Sequence, residues 1–532
     1  MTGHRPARTV LRGALVADGT GAPAAIADIA WSGPLISAVG RVPARPGDRV
    51  IDGTGLVAMP GFIDAHTHAS PALRPGAAAE HLALLSQGIT TVLLGQDGTG
   101  WAPADGPGVA WAQEYFGSLD GEPPDALRGG GSVAGLLAAW DRSAPVNVAY
   151  LAPAGLIRHG VLGGATRPAD RAEVAAMARL VAAALGDGAV GLSTGLEYVP
   201  GAFAAEAELA GICAPVAEAG AVHVSHMRGY GQRAPGSIAE LGRVAVASGV
   251  RTHVSHLRGR AGPARRALAA ARAAGADVTF DSYPYHRACT LLAMRCLPPE
   301  LQAGGPAAAA GRLADAATYR RLRRSWHGDL RDELAGYVIS NAPGPAFGRY
   351  EGRTLADAAA AHGCDLAGFV RELLAGTGLA VTCVVPGRGS DGDRDYAALL
   401  ADPGRMAGSD GIYLGGHPHP RGRGAFARML RRDVVERSLL SWGEASWQLA
   451  GHAAARFGLA GRGRLGAGYA ADIAVCDPDA VRDLATYARP ARTASGMAMA
   501  FVNGELAYSA GGGVATAAAH AGRALRRGGS GP

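Results

Sequence analysis

The chain contains no lysine; all 51 of its basic residues are arginine. With glycine and alanine abundant, this reads as the mark of a GC-rich genome, and it closes any route through a lysine side chain. The formal charge of +6 is spread along the sequence without a basic run. That argues for solubility and a small anionic substrate, not nucleic acid. Cysteine is scarce. Cys213, Cys289, Cys296, Cys364, Cys383 and Cys476 form no C-x-x-C pair and mostly lie in apolar runs. They are expected to be reduced core residues of a cytoplasmic protein, not a disulfide frame. No uninterrupted apolar stretch is long enough to span a bilayer, so no membrane association is expected. The start, Met1-Thr2-Gly3-His4-Arg5-Pro6, leads into no apolar h-region, and no signal peptide is expected. The run Gly129-Gly130-Gly131 lacks the strand–helix context of a phosphate loop, which argues against nucleotide binding.

What is present is a long chain with alternating patterns. At 532 residues, 48% of them hydrophobic, it can bury a large core. By length alone it holds roughly two to four units, although α/β barrels run long as one domain. Short apolar runs separated by turn residues fill residues 9–60, for example Thr9-Val10-Leu11-Arg12 and Ile26-Ala27-Asp28-Ile29-Ala30-Trp31. The pattern returns at Ala471-Asp472-Ile473-Ala474-Val475-Cys476 and at Met499-Ala500-Phe501-Val502-Asn503-Gly504, where Asn-Gly is a strong hairpin signal. Residues 1–60 and 461–510 are therefore expected to build one small β-sandwich domain from both chain ends, with residues 511–532 as a disordered tail.

Between them, apolar strands alternate with Ala-rich helices. The strands predicted are 62–68, 91–97, 146–152, 189–194, 221–227, 251–257, 277–283 and 405–410. Eight such units over residues 61–460 predict an α/β fold, a closed (β/α)8 TIM-like barrel. A ninth candidate, 381–385, is surplus to the count. Residues 298–350, with Pro298-Pro299, Gly304-Gly305-Pro306 and an arginine-rich 319–324, fit neither pattern. They are expected to be an insertion after the seventh strand, able to cap the barrel mouth or to form a plain surface excursion.

The first predicted barrel strand ends in His66-Thr67-His68. Side chains alternate along a strand, so the two imidazoles share a face and can grip one ion. In such barrels the chemistry sits at the C-terminal strand ends. Strand two ends in Gln96-Asp97-Gly98, strand five in Ser225-His226, strand six in Ser255-His256 and strand eight in Ser409-Asp410-Gly411. Four histidines and two aspartates can converge there. That set suffices for two divalent ions with a carboxylate between them, an arrangement suited to activating water at neutral pH.

The stretch Pro60-Gly61-Phe62-Ile63-Asp64-x-His66-Thr67-His68 resembles the amidohydrolase superfamily. Gly191-Leu192-Ser193-Thr194-Gly195-Leu196-x-Tyr198-x-Pro200-Gly201, Asp281-x-Tyr283-Pro284-Tyr285, Gly408-Ser409-Asp410-Gly411 and His419-Pro420-Arg421-x-x-Gly424-x-Phe426 resemble the N-acyl-D-amino-acid deacylases more closely. So do the two Ser-His strand ends, Gly468-Tyr469-Ala470-Ala471-Asp472-Ile473 and Val502-Asn503-Gly504. The resemblance runs from about residue 9 to about residue 508. It implies a zinc-dependent amidohydrolase that removes an acyl group from a D-amino acid by attack of a metal-bound hydroxide, with one or two Zn2+ per chain. By position, His66, His68, His226, His256 and Asp410 would be metal ligands, and Asp410 also the general base. Tyr198, Tyr283 and the cation after the sixth strand, here Arg258, would hold the substrate; Cys289, His419 and Arg421 are also counted as substrate contacts.

Three departures stand out. The family's bridging cysteine lies in a Gly-Asn-Cys-Gly turn; here the turn is Gly95-Gln96-Asp97-Gly98. Asp97 can still bridge with two oxygens, whereas the carboxylated lysine of other relatives is closed to a chain without lysine. The aspartate that often lies two residues after the second histidine is Ser70. The family's substrate lysine is Arg258, whose fork suits a carboxylate but is not equivalent to an ammonium.

His223 and His253, three residues before ligand candidates, are expected on the opposite strand face, packing in the core. His81, His159, His327 and His362 are expected on the surface or in loops, and His417 and His419 in a loop near the site. Two other readings remain beside a small acyl-amide deacylase. One is a related amidohydrolase that trims a peptide or opens a cyclic amide in a biosynthetic pathway. The other is a metal-stabilised scaffold that binds without turnover.

Overall fold

The computed structural model describes residues 8–326, 329–387 and 392–529. His327, the first seven residues and residues 530–532 lie outside them. Eight parallel strands form the central unit: β1 (Phe62–Asp64), β2 (Ile89–Leu94), β3 (Asn147–Pro153), β4 (Gly191–Gly195), β5 (Val222–His226), β6 (Arg251–Val254), β7 (Val278–Ser282) and β8 (Arg405–Ala407). Each pairs with its sequence neighbour in the set. The amide of Ala65 donates to Ala407 O (3.2 Å) and that of Asp410 to His66 O (2.7 Å). These bonds draw β8 back to β1 and leave a nearly closed (β/α)8 barrel.

The period of two along each strand divides the barrel interior into two levels. Ile63, Leu93, Ala149, Leu151, Val222, Val224 and Met406 fill the lower level, and Phe457, from the helix His452–Phe457, plugs it from below. Two residues above Val224, the same face carries His226. The polar site therefore rests on a packed apolar floor. Helices flank the strands, among them α1 (Gly106–Asp120), started by Asp105 accepting from Gly108 N, and Arg171–Gly186, started by a capping box of Asp170 and Glu173.

The two chain ends build the second unit, a nine-stranded sheet. Its centre is the pairing of Val57–Pro60 with Thr9–Val16 on one side and with Ile473–Cys476 on the other. Asn503 (φ 50°) and Gly504 (φ 84°) make the expected hairpin turn, and Trp31 packs edge-on against Phe501.

Two expectations need correction. The excursion predicted over 298–350 is only part of what separates β7 from β8. The strands Ala288–Leu291, Thr382–Val385 and Val338–Asn341 form an antiparallel sheet there, with helices that enclose a separate core including Phe369, Leu373, Ile339 and Val381. The surplus strand predicted at 381–385 is the middle strand of this sheet. Proline and glycine marked only the irregular middle of the insertion, since the apolar run Thr382–Val385 looks like a barrel strand. The tail is also ordered as far as residue 529. Gly522 N donates to Ala144 O (2.9 Å), Leu525 N to Val148 O (2.7 Å) and Arg523 N to Asn147 Oδ1 (3.0 Å). Its glycine- and alanine-rich composition hid these bonds made by the tail's backbone amides, which need no large apolar side chain.

Candidate metal centre and active site

The expected residues converge at the C-terminal end of the barrel, though not all by strand alternation. β1 ends at Asp64, residues 65–66 bend, and Thr67–His68 resume an extended path beside Gly411–Ile412. His66 and His68 still face one point, with ring centroids 5.8 Å apart. Three site residues have left-handed backbone: Asp97 (φ 56°), His256 (φ 38°) and Asp410 (φ 51°). Such conformations are rare for side chains with a Cβ and persist where the surroundings impose them. The turn carrying Asp97 needs its glycines. A Cβ on Gly95 (φ 75°) would lie 2.2 Å from Leu151 O.

Asp97 stands at the centre. Its Oδ1 lies 3.5 Å from His66 Nε2 and 3.6 Å from His256 Nε2. Its Oδ2 lies 3.6 Å from His68 Nε2 and 3.5 Å from His226 Nδ1. Asp410 Oδ1 is 3.8 Å from both His66 Nε2 and His68 Nε2. These separations are too long for good hydrogen bonds. They are close to the spacing of about 3.3 Å between two donors of one tetrahedral ion at about 2.0–2.1 Å. Both ring nitrogens of His66 and Asp97 Oδ1 are buried without a hydrogen-bond partner, a costly arrangement unless a cation satisfies them. The donor set of imidazole nitrogens and carboxylate oxygens fits zinc.

A second layer of carboxylates fixes the rings. His68 Nδ1 donates to Asp120 Oδ1 (2.8 Å), whose Oδ2 accepts from Thr99 Oγ1 (2.5 Å). His226 Nε2 donates to Glu197 Oε2 (3.1 Å), which also pairs with Arg233 (2.6 Å). Each bond spends one ring N–H and turns the other nitrogen's lone pair toward Asp97. Asp281 accepts from His256 N (2.9 Å) and His253 Nε2 (3.0 Å), and lies 3.6 Å from His66 Nδ1. Burial opposes protonation of His68, but Asp120 and Asp97 outweigh it and raise its pKa to about 10. Burial likewise opposes protonation of His226, and Asp97 and Glu197 raise it to about 9. Asp97 is itself held well below the usual range, the nearby imidazoles overcoming its burial. The centre attracts positive charge strongly.

Above it opens a cavity of about 1410 Å³, lined by His68, Asp97, His226, His256 and Asp410 at its floor. Tyr198, Arg258, Tyr283 and Cys289 also line it, as expected of substrate contacts. Arg258 is half-buried, 6.0 Å from the centre of the Tyr230 ring, and has no ion-pair partner among the described residues. His419 and Arg421, also counted as substrate contacts, are fully buried beside the cavity, on either side of the lining residue Pro420. His419 uses Nε2 on Arg287 O (3.2 Å) and Nδ1 on Arg421 N (3.0 Å). Arg421, fully buried, donates to Asp410 Oδ2 (2.8 Å), Tyr283 Oη (3.0 Å) and Cys289 O (3.2 Å). Its Nε is buried without a hydrogen-bond partner.

His223 points away from the site, as alternation predicts, with Nε2 on Thr194 Oγ1 (2.9 Å). His253 does not. It pairs in register with Val224, an interior residue, and its ring packs on Phe457. β6 ends at Val254, and the left-handed turn at His256 returns that ring to the interior; alternation was carried one residue too far. His81, His159 and His362 are half-buried away from the site, and His417 Nε2 donates to Tyr487 O (2.8 Å). Asp120, Glu197 and Asp281 are functional candidates that sequence reading missed. Glu197 and Asp281 lie at strand ends inside quoted motifs, whereas Asp120 closes a helix with no motif around it.

The sequence model of the amidohydrolase family matches residues 49–508. The N-acyl-D-glutamate deacylase of Alcaligenes xylosoxydans xylosoxydans is 33% identical over 518 residues, covering 93% of this chain and 92% of the relative. The D-aminoacylase of the same organism is 32% identical over 535 residues, covering 98% of each. The crystal structure of N-acyl-D-glutamate deacylase from Bordetella bronchiseptica, in complex with zinc and a phosphonate mimic of the tetrahedral intermediate, superposes with a TM-score of 0.82 at 30% identity, covering 98% of this chain and 100% of that one. A D-aminoacylase crystal structure gives 0.77 at 31% identity, with 98% and 99% covered. The chain belongs to the amidohydrolase family, in the branch that holds the N-acyl-D-amino-acid deacylases.

Proposed function

We propose that this chain is a zinc-dependent deacylase that hydrolyses the amide of N-acyl-D-amino acids. The observation that carries the reading is the single carboxylate of Asp97 set within 3.6 Å of four imidazoles at the floor of an open cavity. His66, His68, His226, His256, Asp97 and Asp410 would hold the metal, which supplies Lewis acidity and a water of lowered pKa. The remaining work falls to side chains. Arg421 fixes Oδ2 of Asp410 and leaves Oδ1 facing the histidines. Asp410 Oδ1 takes the proton of the attacking water and returns it to the leaving amine. Arg258 receives the substrate carboxylate as a bidentate partner, with Tyr198 and Tyr283 walling the acyl amide beside the histidines.

The cavity is larger than the roughly 300–1,000 Å³ usual for small ligands, which favours a second reading with a longer acyl chain or a D-terminal peptide. We place the protein in the cytoplasm because all six cysteines are free; no helix among the described residues is long and apolar enough to cross a membrane. The test is metal analysis joined to a substrate panel of acyl-D-amino acids, acyl-L-amino acids, hydantoins and D-terminal dipeptides. The reading predicts stoichiometric zinc and turnover of the acyl-D-amino acids. A metal-free protein with full activity refutes it, and turnover confined to hydantoins or dipeptides transfers the function to a sister reaction.

A further inference from the structure

Beyond Asp97 and Asp410, five carboxylates line the cavity, and each is already engaged. Glu197 pairs with Arg233 (2.6 Å), Glu333 with Arg295 (3.2 Å), Asp483 with Arg428 (2.9 Å) and Asp393 with Arg437 (2.6 Å), while Asp395 accepts from Ala261 N (2.8 Å). Two half-buried lining arginines are left over. Arg258 and Arg287 make no ion pair or side-chain hydrogen bond among the described residues. Each lies over a tyrosine ring instead, Arg258 at 6.0 Å from the centre of Tyr230 and Arg287 at 4.4 Å from that of Tyr487.

Tyr487 comes from the second unit. It lies in the loop between Ile473–Cys476 and Met497–Val502, and its carbonyl accepts from His417 Nε2 (2.8 Å). Its hydroxyl accepts from Arg287 N (3.3 Å), and Arg287 O accepts from His419 Nε2 (3.2 Å). The backbone of Arg287 is thus clamped on both sides. Stacking on an aromatic ring stabilises a guanidinium. It also leaves the in-plane N–H edges open to a bidentate pair with a carboxylate. His419 registers the charge gathered here. Burial, then Arg421, Arg258 and Arg287, hold its pKa well below the ordinary imidazole value. Of these three guanidiniums, only Arg421 faces a carboxylate among the described residues, that of Asp410. Like charges left unpaired in one cavity repel each other and draw anions into it.

We propose that Arg287 receives a second carboxylate of the substrate, beyond the one assigned to Arg258, so that the preferred substrates are acyl-D-amino acids with two anionic groups. The inference rests on the proposed deacylase function. The second carboxylate can come from the amino-acid side chain or from the far end of the acyl chain, and the chemistry at Arg287 is the same for both.

The test uses the full-length, zinc-loaded chain and two pairs of substrates that differ only in carboxylate against carboxamide. One pair is N-acetyl-D-glutamate and N-acetyl-D-glutamine; the other is N-succinyl-D-leucine and N-succinamoyl-D-leucine. Native protein should favour the acid over its amide in kcat/KM by about ten- to a hundredfold in at least one pair. A preference in the first pair places the second carboxylate on the side chain, and one in the second pair places it on the acyl chain. Arg287→Met should bring the ratio to about one. Arg287→Lys should keep part of it, since the charge remains without the fork. Equal use of acid and amide in both pairs by the native protein overturns the inference. So does a ratio that Arg287→Met leaves unchanged; if that variant does not fold, Arg287→Gln is held to the same ratio. If no acyl-D-amino acid is turned over, the proposed function fails instead. The same acid-over-amide ratio in calorimetric Kd values then decides on Arg287, so the two failures are distinct.

Discussion

Asp120 offers a sharp test of how the centre is held. Its Oδ1 is 2.8 Å from His68 Nδ1, and the two side chains are 8% and 2% exposed. A hydrogen bond to a charged group contributes about 1.5–3 kcal/mol. Because this bond fixes which ring nitrogen carries the proton, most of that energy should appear in metal affinity, as roughly ten- to a hundredfold. Asp120→Asn keeps an acceptor but loses the charge, so affinity should fall by about tenfold, the low end of that range. Asp120→Ala also strands the His68 N–H in a buried place, a cost of about 1–3 kcal/mol, while the Thr99 hydroxyl can still donate to Gln96 O (3.1 Å). Its affinity should fall by about a hundredfold, with a lower Tm of the metal-free chain. The assay is zinc Kd by chelator competition, beside thermal unfolding with and without metal. If Asp120→Ala folds and binds zinc within about twofold of native, the bond does not position His68 and the reasoning fails.

Asp410→Asn keeps the shape of the carboxyl but cannot take the proton; turnover per bound zinc should drop by about 10²–10⁴-fold, and near-normal turnover in a folded protein excludes the role. Arg258→Met should lower kcat/KM for substrates with a free carboxylate by about ten- to a hundredfold while sparing their esters or amides, and an equal fall for both would remove Arg258 as the anchor. Prolonged chelation should abolish activity, and added Zn2+ should restore it; activity that survives complete metal loss by elemental analysis contradicts a metal-dependent reaction. Gly95→Ala brings a Cβ within 2.2 Å of Leu151 O, so the Asp97 turn must shift, and bound metal should fall in a chain that keeps its far-ultraviolet spectrum.

The barrel and the centre were legible where local chemistry and fold agree. The apolar run before His66, the Gln96-Asp97-Gly98 turn, the Ser-His strand ends and the Ser409-Asp410-Gly411 turn pointed to six side chains that the structure brings together, because a barrel gathers its strand ends whatever lies between them. Asp120 was not legible. It is brought to His68 only by the packing of α1, and nothing within α1 marks its last residue. Alternation explained His223 and failed for His253, since strand length, which decides where the period stops, is set by pairing rather than by residue type. His419 and Arg421 belong to a motif near the site, but the sequence could not say that Arg421's fork turns inward to Asp410. The tail held no apolar pattern, and its order comes from backbone bonds to β3 that composition does not record.

The strand Val57–Pro60 is fully buried only because Ile473–Cys476 covers its outer edge. Between those two strands lie more than 400 residues, the whole barrel among them. At about 5–20 residues per second of synthesis, the ribosome leaves that apolar edge bare for roughly 20–80 s. The metal centre is complete in the chain by Asp410, before the covering strand exists. A nascent chain stalled near residue 460 should thus carry every metal ligand and still present an open sheet edge, a template for aggregation, until its last strands are made.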